Sequence, residues 1–312
     1  MKPRPQGHLP YRGRRVLLKY HRLLNGRHTH PPNSVAALRC VLAGGAEVVE
    51  FDVRLTRDEK FVLIHDTDLA SETSGRGSLR GVTEAQFKTL RLRGSDEPAA
   101  TLADVAEILR LVDRPVKVQI DLKEAAPITP EIAAALLRTI APIRNQSPAS
   151  VVVGSMGDWN LRLLRRLDPE LAVGLDFGSY LDVPMDGAAG IPRRINAYGY
   201  VDDHPLGRHR LMPIGTYLEN RLDVLLNLVP GAREVYVRKE LLLQALADGV
   251  NPIAFIHDRS PGALVDVWTL HADEPEIDRL LLTALESGAD QITSPDPARL
   301  VEVFAAMSCG SH

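Results

Sequence analysis

The sequence predicts an α/β fold, and within that class a (β/α)8 barrel, somewhat irregular, with one extra or antiparallel strand. Three observations lead there. Nine short apolar, β-branched runs alternate with segments whose apolar residues return at helical spacing, the pattern of a parallel sheet with helical crossovers. The 312 residues, 45% hydrophobic, suit a single domain over 1–312. Chemically active residues stand at the ends of several runs, where a barrel gathers its loops on one face.

Residues 15–20 (RVLLKY) form the first strand and lead into His21-Arg22 and a polar loop that holds His28 and His30. Asn33-Ser34 caps a helix over 35–42, and Gly44-Gly45 stops it. The next two strands, 48–53 and 61–64, are joined by a link too short for a crossover helix, so the antiparallel irregularity belongs here. A glycine-rich loop, SETSGRGSLRG, precedes short helices at 83–90 and 102–111, the second capped by Thr101. Strand 116–122, helix 130–140, strand 151–153, helix 158–167 and strand 172–177 continue the alternation. Residues 178–215 break it; a long loop or lid is expected, with Leu181, Val183, Met185 and Ile191 as an apolar rim. Helix 218–228, strand 234–237 and helix 239–247 resume the rhythm. Segment 251–262 is unassigned, although Asn251-Pro252 signals a helix start and puts His257-Asp258 on the surface or in a lid. Strand 264–270, helix 275–286, strand 291–293 and helix 297–306 close the chain.

A net charge of -3 and a pI near 6.4 exclude the broad basic field of a nucleic-acid or anionic-membrane binder. Basic residues do gather early, at Lys2, Arg4, Arg12, Arg14, Arg15, Lys19, Arg22 and Arg27, which predicts a positive edge able to attract an anionic substrate. Cys40 and Cys309 are far apart and belong to no CxxC or Cys/His cluster, so neither a disulfide framework nor a zinc site is expected. No apolar leader region or membrane-length apolar run is present, and a cytoplasmic location follows as the expectation.

The chemistry centres on Glu50 and Asp52. Two residues apart on a strand, their side chains leave the same face, and side by side they repel unless a positive group lies between them. A hard divalent cation with oxygen ligands is the natural candidate. His65-Asp66 ends the following strand, His21-Arg22 ends the first, and Asp121 and Lys123 share one face of another. Three carboxylates can hold Mg2+ or Ca2+. Two imidazoles, with ordinary pKa values of about 6.5, can divide general-base and general-acid work. Arg22 and Lys123 add charge that stabilises a phosphoryl transition state, so the set fits phosphodiester cleavage. GRGSLRG does not match GxGxxG, VGSMG is not a GxSxG elbow, and no GxxxxGK[ST] occurs.

The ordered series His21-Arg22, Glu50-Phe51-Asp52 and His65-Asp66 resembles the HR, ExD, HD pattern of the glycerophosphodiester phosphodiesterase family. That family belongs to the metal-dependent phosphodiesterases on TIM barrels, which include phosphatidylinositol-specific phospholipases C. LTRDEKFVLIHDTDL is similar to the family's TKDG…VVIHD segment, IDLK to its IEIK strand, and VDVWTL and GADQITSPDPARL to its VWTVN and GADGIITD blocks. The resemblance spans nearly the whole chain. It implies ligation of one divalent cation, Mg2+ or Ca2+ with Mn2+ a further option, by Glu50, Asp52 and Asp121. It also implies acid/base catalysis by His21 and His65, phosphate contact by Arg22 and Lys123, and Trp268 lining the pocket. Departures from the pattern are Leu23 for the glycine after HR, Pro31-Pro32-Asn33 for PEN, IDLK for IEIK, Asp58-Glu59 for an Asp-Gly turn, and His271 in place of a frequent Asn. The implied activity is hydrolysis of a small-molecule glycerophosphodiester to glycerol 3-phosphate and an alcohol. The alternatives are a lysophospholipase D-type or other lipid or sugar phosphodiesterase on the same barrel, or a non-catalytic barrel that binds phosphate ligands. Neither a nucleic-acid partner nor stable membrane insertion is expected.

Overall fold

The computed structural model describes residues 7–26, 29–184, 194–195, 198–204 and 210–309. Strand β1 (His8–Tyr11) folds back on β2 (Arg14–Tyr20) as an antiparallel hairpin, and helix α1 (Val35–Ala43) leads to β3 (Val48–Leu55). Ser34 Oγ caps α1 by accepting the Ala37 amide, as its position in sequence predicts. β3 turns straight back into β4 (Phe61–Leu63), the antiparallel strand expected from the short link. An excursion then carries α2 (Leu69–Glu72) and α3 (Glu84–Phe87) around a small core of Val62, Ile64, Leu69, Leu79, Phe87, Leu92 and Ala99.

The barrel rhythm resumes with α4 (Leu102–Leu109), β5 (Lys117–Leu122), α5 (Pro130–Gln146), β6 (Ser150–Ser155), α6 (Asp158–Leu167) and β7 (Ala172–Asp176). After β7 come β8 (Leu181–Asp182), β9 (Arg194–Ile195) and β10 (Val201–Asp202), which form their own three-stranded sheet. Then follow α7 (Ile214–Leu226), β11 (Glu234–Arg238), α8 (Lys239–Ala247), α9 (Pro252–Arg259), β12 (Leu264–Trp268), α10 (Ile277–Ser287), β13 (Gln291–Ser294) and α11 (Pro297–Cys309). Eight of these strands pair in parallel in the order β2-β13-β12-β11-β7-β6-β5-β3, and β3 pairs with β2 to close the barrel. The helices pack their apolar faces against the outside of the sheet, so the main core lies between the two layers.

Inside the barrel, alternate residues converge, and here the lining is polar. Lys19 ion-pairs with Asp266, donates to Gln119, and places its ammonium 4.5 Å from the centre of the Tyr236 ring. Gln291 Nε2 and Thr293 Oγ1 donate to Asp266 at 2.7 and 2.9 Å, so the buried charge pair is held by further hydrogen bonds. Room for the Tyr236 ring comes from glycine: a Cβ on Gly174 would lie 2.1 Å from Tyr236 Oη, and one on Gly154 2.9 Å from its Cε2.

Several expectations need correction. β1 was not foreseen, because HLPY lacks alternation and forms by pairing with β2. Segment 178–215 is not a bare loop; α7 begins at Ile214, four residues before the expected 218, and the small sheet lies within the segment. Leu181 is buried and Val183 packs against the core, so neither makes an apolar rim; Met185 and Ile191 lie outside the described residues. Segment 251–262 contains α9, as Asn251-Pro252 signals, and the partly exposed His257 places its Nε2 2.7 Å from Oδ2 of Asp290, the residue preceding β13. Among the described residues the early basic side chains do not form one edge. Arg12 and Arg15 pair with Glu286 and Glu47, Arg14 caps the α10 carbonyl end at Leu285, Lys19 is inside the barrel and Arg22 is at its mouth. Lys2, Arg4, Arg27 and His28 lie outside the described residues. Among those described, no helix is long and apolar enough to cross a membrane.

Candidate active site

At the C-terminal end of the barrel a cavity of about 370 Å3 is lined by His21, Arg22, Glu50, His65, Asp121, Lys123 and Trp268, together with Lys19, Gln119, Asp176, Tyr236, His271 and Thr293. Seven of the eight residues singled out from the sequence therefore meet in one place. The eighth, Asp52, lies fully buried just beneath it. Parallel pairing explains the convergence. Glu50 stands opposite Gln119 and Asp52 opposite Asp121 in the β3–β5 register, so the three carboxylates share one side of the barrel.

Oxygens of Glu50, Asp52 and Asp121 lie within 4.8 Å of one another. Glu50 Oε2 accepts the Arg22 amide at 2.7 Å, while its Oε1 is buried without a hydrogen-bond partner among the described residues, as is Asp52 Oδ1. Lys123 Nζ is 2.6 Å from Asp121 Oδ2 and 3.4 Å from Asp52 Oδ1; Arg22 Nε is 3.3 Å from Asp52 Oδ2. Orphaned carboxylate oxygens beside a third carboxylate are what a hard oxygen-seeking cation requires, so the residues fit a divalent metal.

The electrostatics agree. Burial, reinforced by Asp52 and Asp121, pushes the Glu50 carboxyl well above the usual carboxylate range. Burial also acts to raise Asp52, but the Lys123 and Arg22 charges outweigh it and hold Asp52 below its ordinary value. Burial works against the Lys123 ammonium, yet Asp121 and Asp52 raise it overall. His21 is held well below its usual range by burial and then by Arg22. Counted formally, a protonated Glu50, two aspartates and two cations sum to zero. A divalent cation that displaces the Glu50 proton leaves the group at +1, which a phosphodiester monoanion neutralises.

The supporting residues explain the geometry. Arg22 and Leu23 both take left-handed backbone, φ 51 and 63, and Leu23 is buried at the position where a glycine was expected. That turn aims the Arg22 amide at Glu50. Asn33, also left-handed at φ 55, donates from Nδ2 to Asp52 Oδ2 at 3.0 Å and accepts the Asp52 amide on Oδ1 at 3.1 Å. His65 is oriented by Asp66, whose Oδ1 is 2.7 Å from its Nδ1, and Glu72 Oε1 accepts both the His65 and Asp66 amides at 2.9 Å. Arg54 donates to the carbonyls of His65 and Lys123, tying the two strand ends together. The sequence points to Asn33 as a helix-capping residue and as the last position of Pro31-Pro32-Asn33, and it assigns no part in the site to Arg54, Asp176, Tyr236 or His271. Asn33 carried a signal: an Asn before a capped helix is a residue that tolerates left-handed backbone.

Residues 21–223 match the glycerophosphoryl diester phosphodiesterase family. A glycerophosphodiester phosphodiesterase of Caldanaerobacter subterraneus is 28% identical over 151 residues, 46% of this chain and 60% of the relative, so the match spans well under two thirds of that protein. Among solved structures, a glycerophosphodiester phosphodiesterase from Parabacteroides distasonis superposes with TM-score 0.62 at 19% identity, covering 93% of this chain and 97% of that one. A phosphodiesterase of Oleispira antarctica, solved with the product sn-glycerol-3-phosphate, superposes with TM-score 0.60 at 19% identity, covering 92% and 96%. At these identities the structural likeness establishes the barrel fold.

Proposed function

The chain belongs to the glycerophosphoryl diester phosphodiesterase family, and on that premise we propose that it is a metal-dependent phosphodiesterase that hydrolyses small glycerophosphodiesters to glycerol 3-phosphate and an alcohol. One observation carries the reading: a buried Glu50 oxygen without a partner among the described residues lies beside Asp52 and Asp121 at a cavity that also presents two histidines, Arg22 and Lys123. The glycerol 3-phosphate bound to the Oleispira antarctica relative is consistent with that product class.

Glu50, Asp52 and Asp121 would hold the ion, with Mg2+, Ca2+ and Mn2+ all compatible with an all-oxygen set. When bound, the ion supplies Lewis-acid polarisation of the phosphoryl oxygens. Arg22 and Lys123 bind and orient the phosphate and offset the charge that builds on it. His21, kept neutral by burial and by the neighbouring guanidinium, takes the proton of the nucleophile. His65, with Asp66 fixing its ring and supplying a countercharge, gives a proton to the departing alcohol oxygen. The nucleophile is water, or a neighbouring hydroxyl of the substrate that displaces the alcohol and leaves a cyclic phosphate for water to open; a cyclic phosphate detected under single-turnover conditions marks the second route. A reducing, cytoplasmic setting suits a chain whose Cys40 is a free thiol.

Release of glycerol 3-phosphate from glycerophosphocholine is the test. Purified protein is expected to be inactive in EDTA and active once Mg2+, Ca2+ or Mn2+ is restored, and His21→Ala and His65→Ala each to lose roughly 100-fold or more. Full activity in EDTA, or in both histidine variants, would overturn the reading.

A further inference from the structure

The mouth of the barrel has two sides. His21, Arg22 and the three carboxylates stand at β2, β3 and β5, whereas Asp176 ends β7, the fifth of eight strands counted from β2 through β3 and so directly across the barrel. Gly174 faces the interior, because a Cβ there would strike Tyr236. Two residues on, Asp176 faces the same way and lines the cavity. Only 8% of it is exposed. Its Oδ1 accepts the Gly178 amide at 2.8 Å, and among the described residues Oδ2 has no hydrogen bond and no cation within ion-pair distance. The carboxylates grouped for a metal do not include it. A buried carboxylate with one oxygen satisfied and the other turned to a substrate cavity asks for a donor from the ligand.

Resting on the phosphodiesterase reading above, we propose that Asp176 is a specificity-determining residue, accepting a hydrogen bond from a hydroxyl on the alcohol arm that crosses the barrel from the phosphate. Trp268, on β12 two strands from β7, offers an apolar wall for the carbon skeleton of that arm. The donor is a neutral hydroxyl rather than an ammonium. Arg22 and Lys123 line the cavity beside Asp121, and the Arg238 guanidinium sits 5.6 Å from the Trp268 ring centre, so positive charge already stands near the cavity and a neutral donor adds none. A volume of about 370 Å3 holds a phosphate with a small polyol. Burial also pushes the Asp176 carboxyl up to about 7, as expected of an acid lacking a countercharge.

The test compares two diesters, glycerophosphoglycerol, whose alcohol arm carries hydroxyls, and bis(4-nitrophenyl) phosphate, which has no hydroxyl. In Asp176→Ala the ratio of kcat/KM for the glycerol diester over the aryl diester should fall roughly 10- to 100-fold, mostly through KM for the glycerol diester. Asp176→Asn keeps an acceptor for the Gly178 amide and so guards against misfolding; its ratio should fall by about 5-fold or more. An unchanged ratio in both variants, including a parallel loss on both substrates, would overturn the proposal while leaving the phosphodiesterase reading intact. A wild-type protein inert on both diesters with every metal would overturn that reading and the proposal with it.

Discussion

Replacing Asn33 should damage both stability and metal binding, and the structure sets the size of each effect. The side chain makes two bonds to one residue, Nδ2 to Asp52 Oδ2 at 3.0 Å and Oδ1 from the Asp52 amide at 3.1 Å, while its own amide donates to the Arg22 carbonyl at 3.0 Å. Asn33→Ala removes a hydrogen bond to an ionised carboxylate, about 1.5–3 kcal/mol, and strands the buried Asp52 amide, about 1–3 kcal/mol. It also asks alanine to hold φ 55 at a cost of about 1 kcal/mol. These losses overlap, so about 3–5 kcal/mol is expected from urea unfolding in EDTA. Asn33→Gly accepts the backbone without strain and should lose about 1 kcal/mol less. Because Asn33 orients a residue of the carboxylate group, Mn2+ affinity by calorimetry should weaken roughly 10- to 100-fold. An Asn33→Ala protein within about 1 kcal/mol of wild type and unchanged in Mn2+ affinity would refute the clamp.

Asp176 predicts a pH effect on stability. Its carboxyl rises from 3.8 to about 7 on folding, so between those values the folded protein keeps a proton that the unfolded chain has released, and stability falls as pH rises. From pH 5 to pH 8 wild type should lose about 2.5 kcal/mol more than Asp176→Asn in urea melts with EDTA; parallel curves would exclude it. Glu50 predicts proton-linked metal binding. Its carboxyl is held protonated by burial and by Asp52, so Mn2+ must displace a proton, and affinity should climb with pH across the neutral range. Calorimetry in buffers of different ionisation heat reads the released proton directly, and no release would contradict the assignment. Gly174→Ala should destabilise by about 3 kcal/mol or more, since its methyl falls on the Tyr236 ring, and Tyr236→Leu should recover part of the loss. Thermal melts of the single and double variants check this.

Local order is legible in the sequence alone. The 3.6- and two-residue periods placed most barrel strands and helices, because burying one face of each is an interaction among near neighbours. The short link before Phe61 revealed β4 because seven residues or fewer cannot hold a crossover helix. His21-Arg22, Glu50-x-Asp52, His65-Asp66 and Asp121-x-Lys123 were legible because each pair is contiguous on a strand end, and the barrel brings strand ends to one face whatever the loops do. Weak periods hid β1 and the small sheet, which exist only by pairing with partners elsewhere. Tertiary structure alone decided what holds the site. The turn of Asn33 back onto Asp52, the Arg54 strap, the Lys19–Asp266 pair under the mouth and the space that Gly174 leaves for Tyr236 all join residues distant in the chain. Asp176 looks like any acidic strand end until closure sets it across the barrel from Arg22, with one oxygen bound and the other facing the cavity. The physical reason is common to all of these: a hydrogen bond or ion pair depends on distance in space, and side chains far apart in sequence acquire a distance only when the barrel closes.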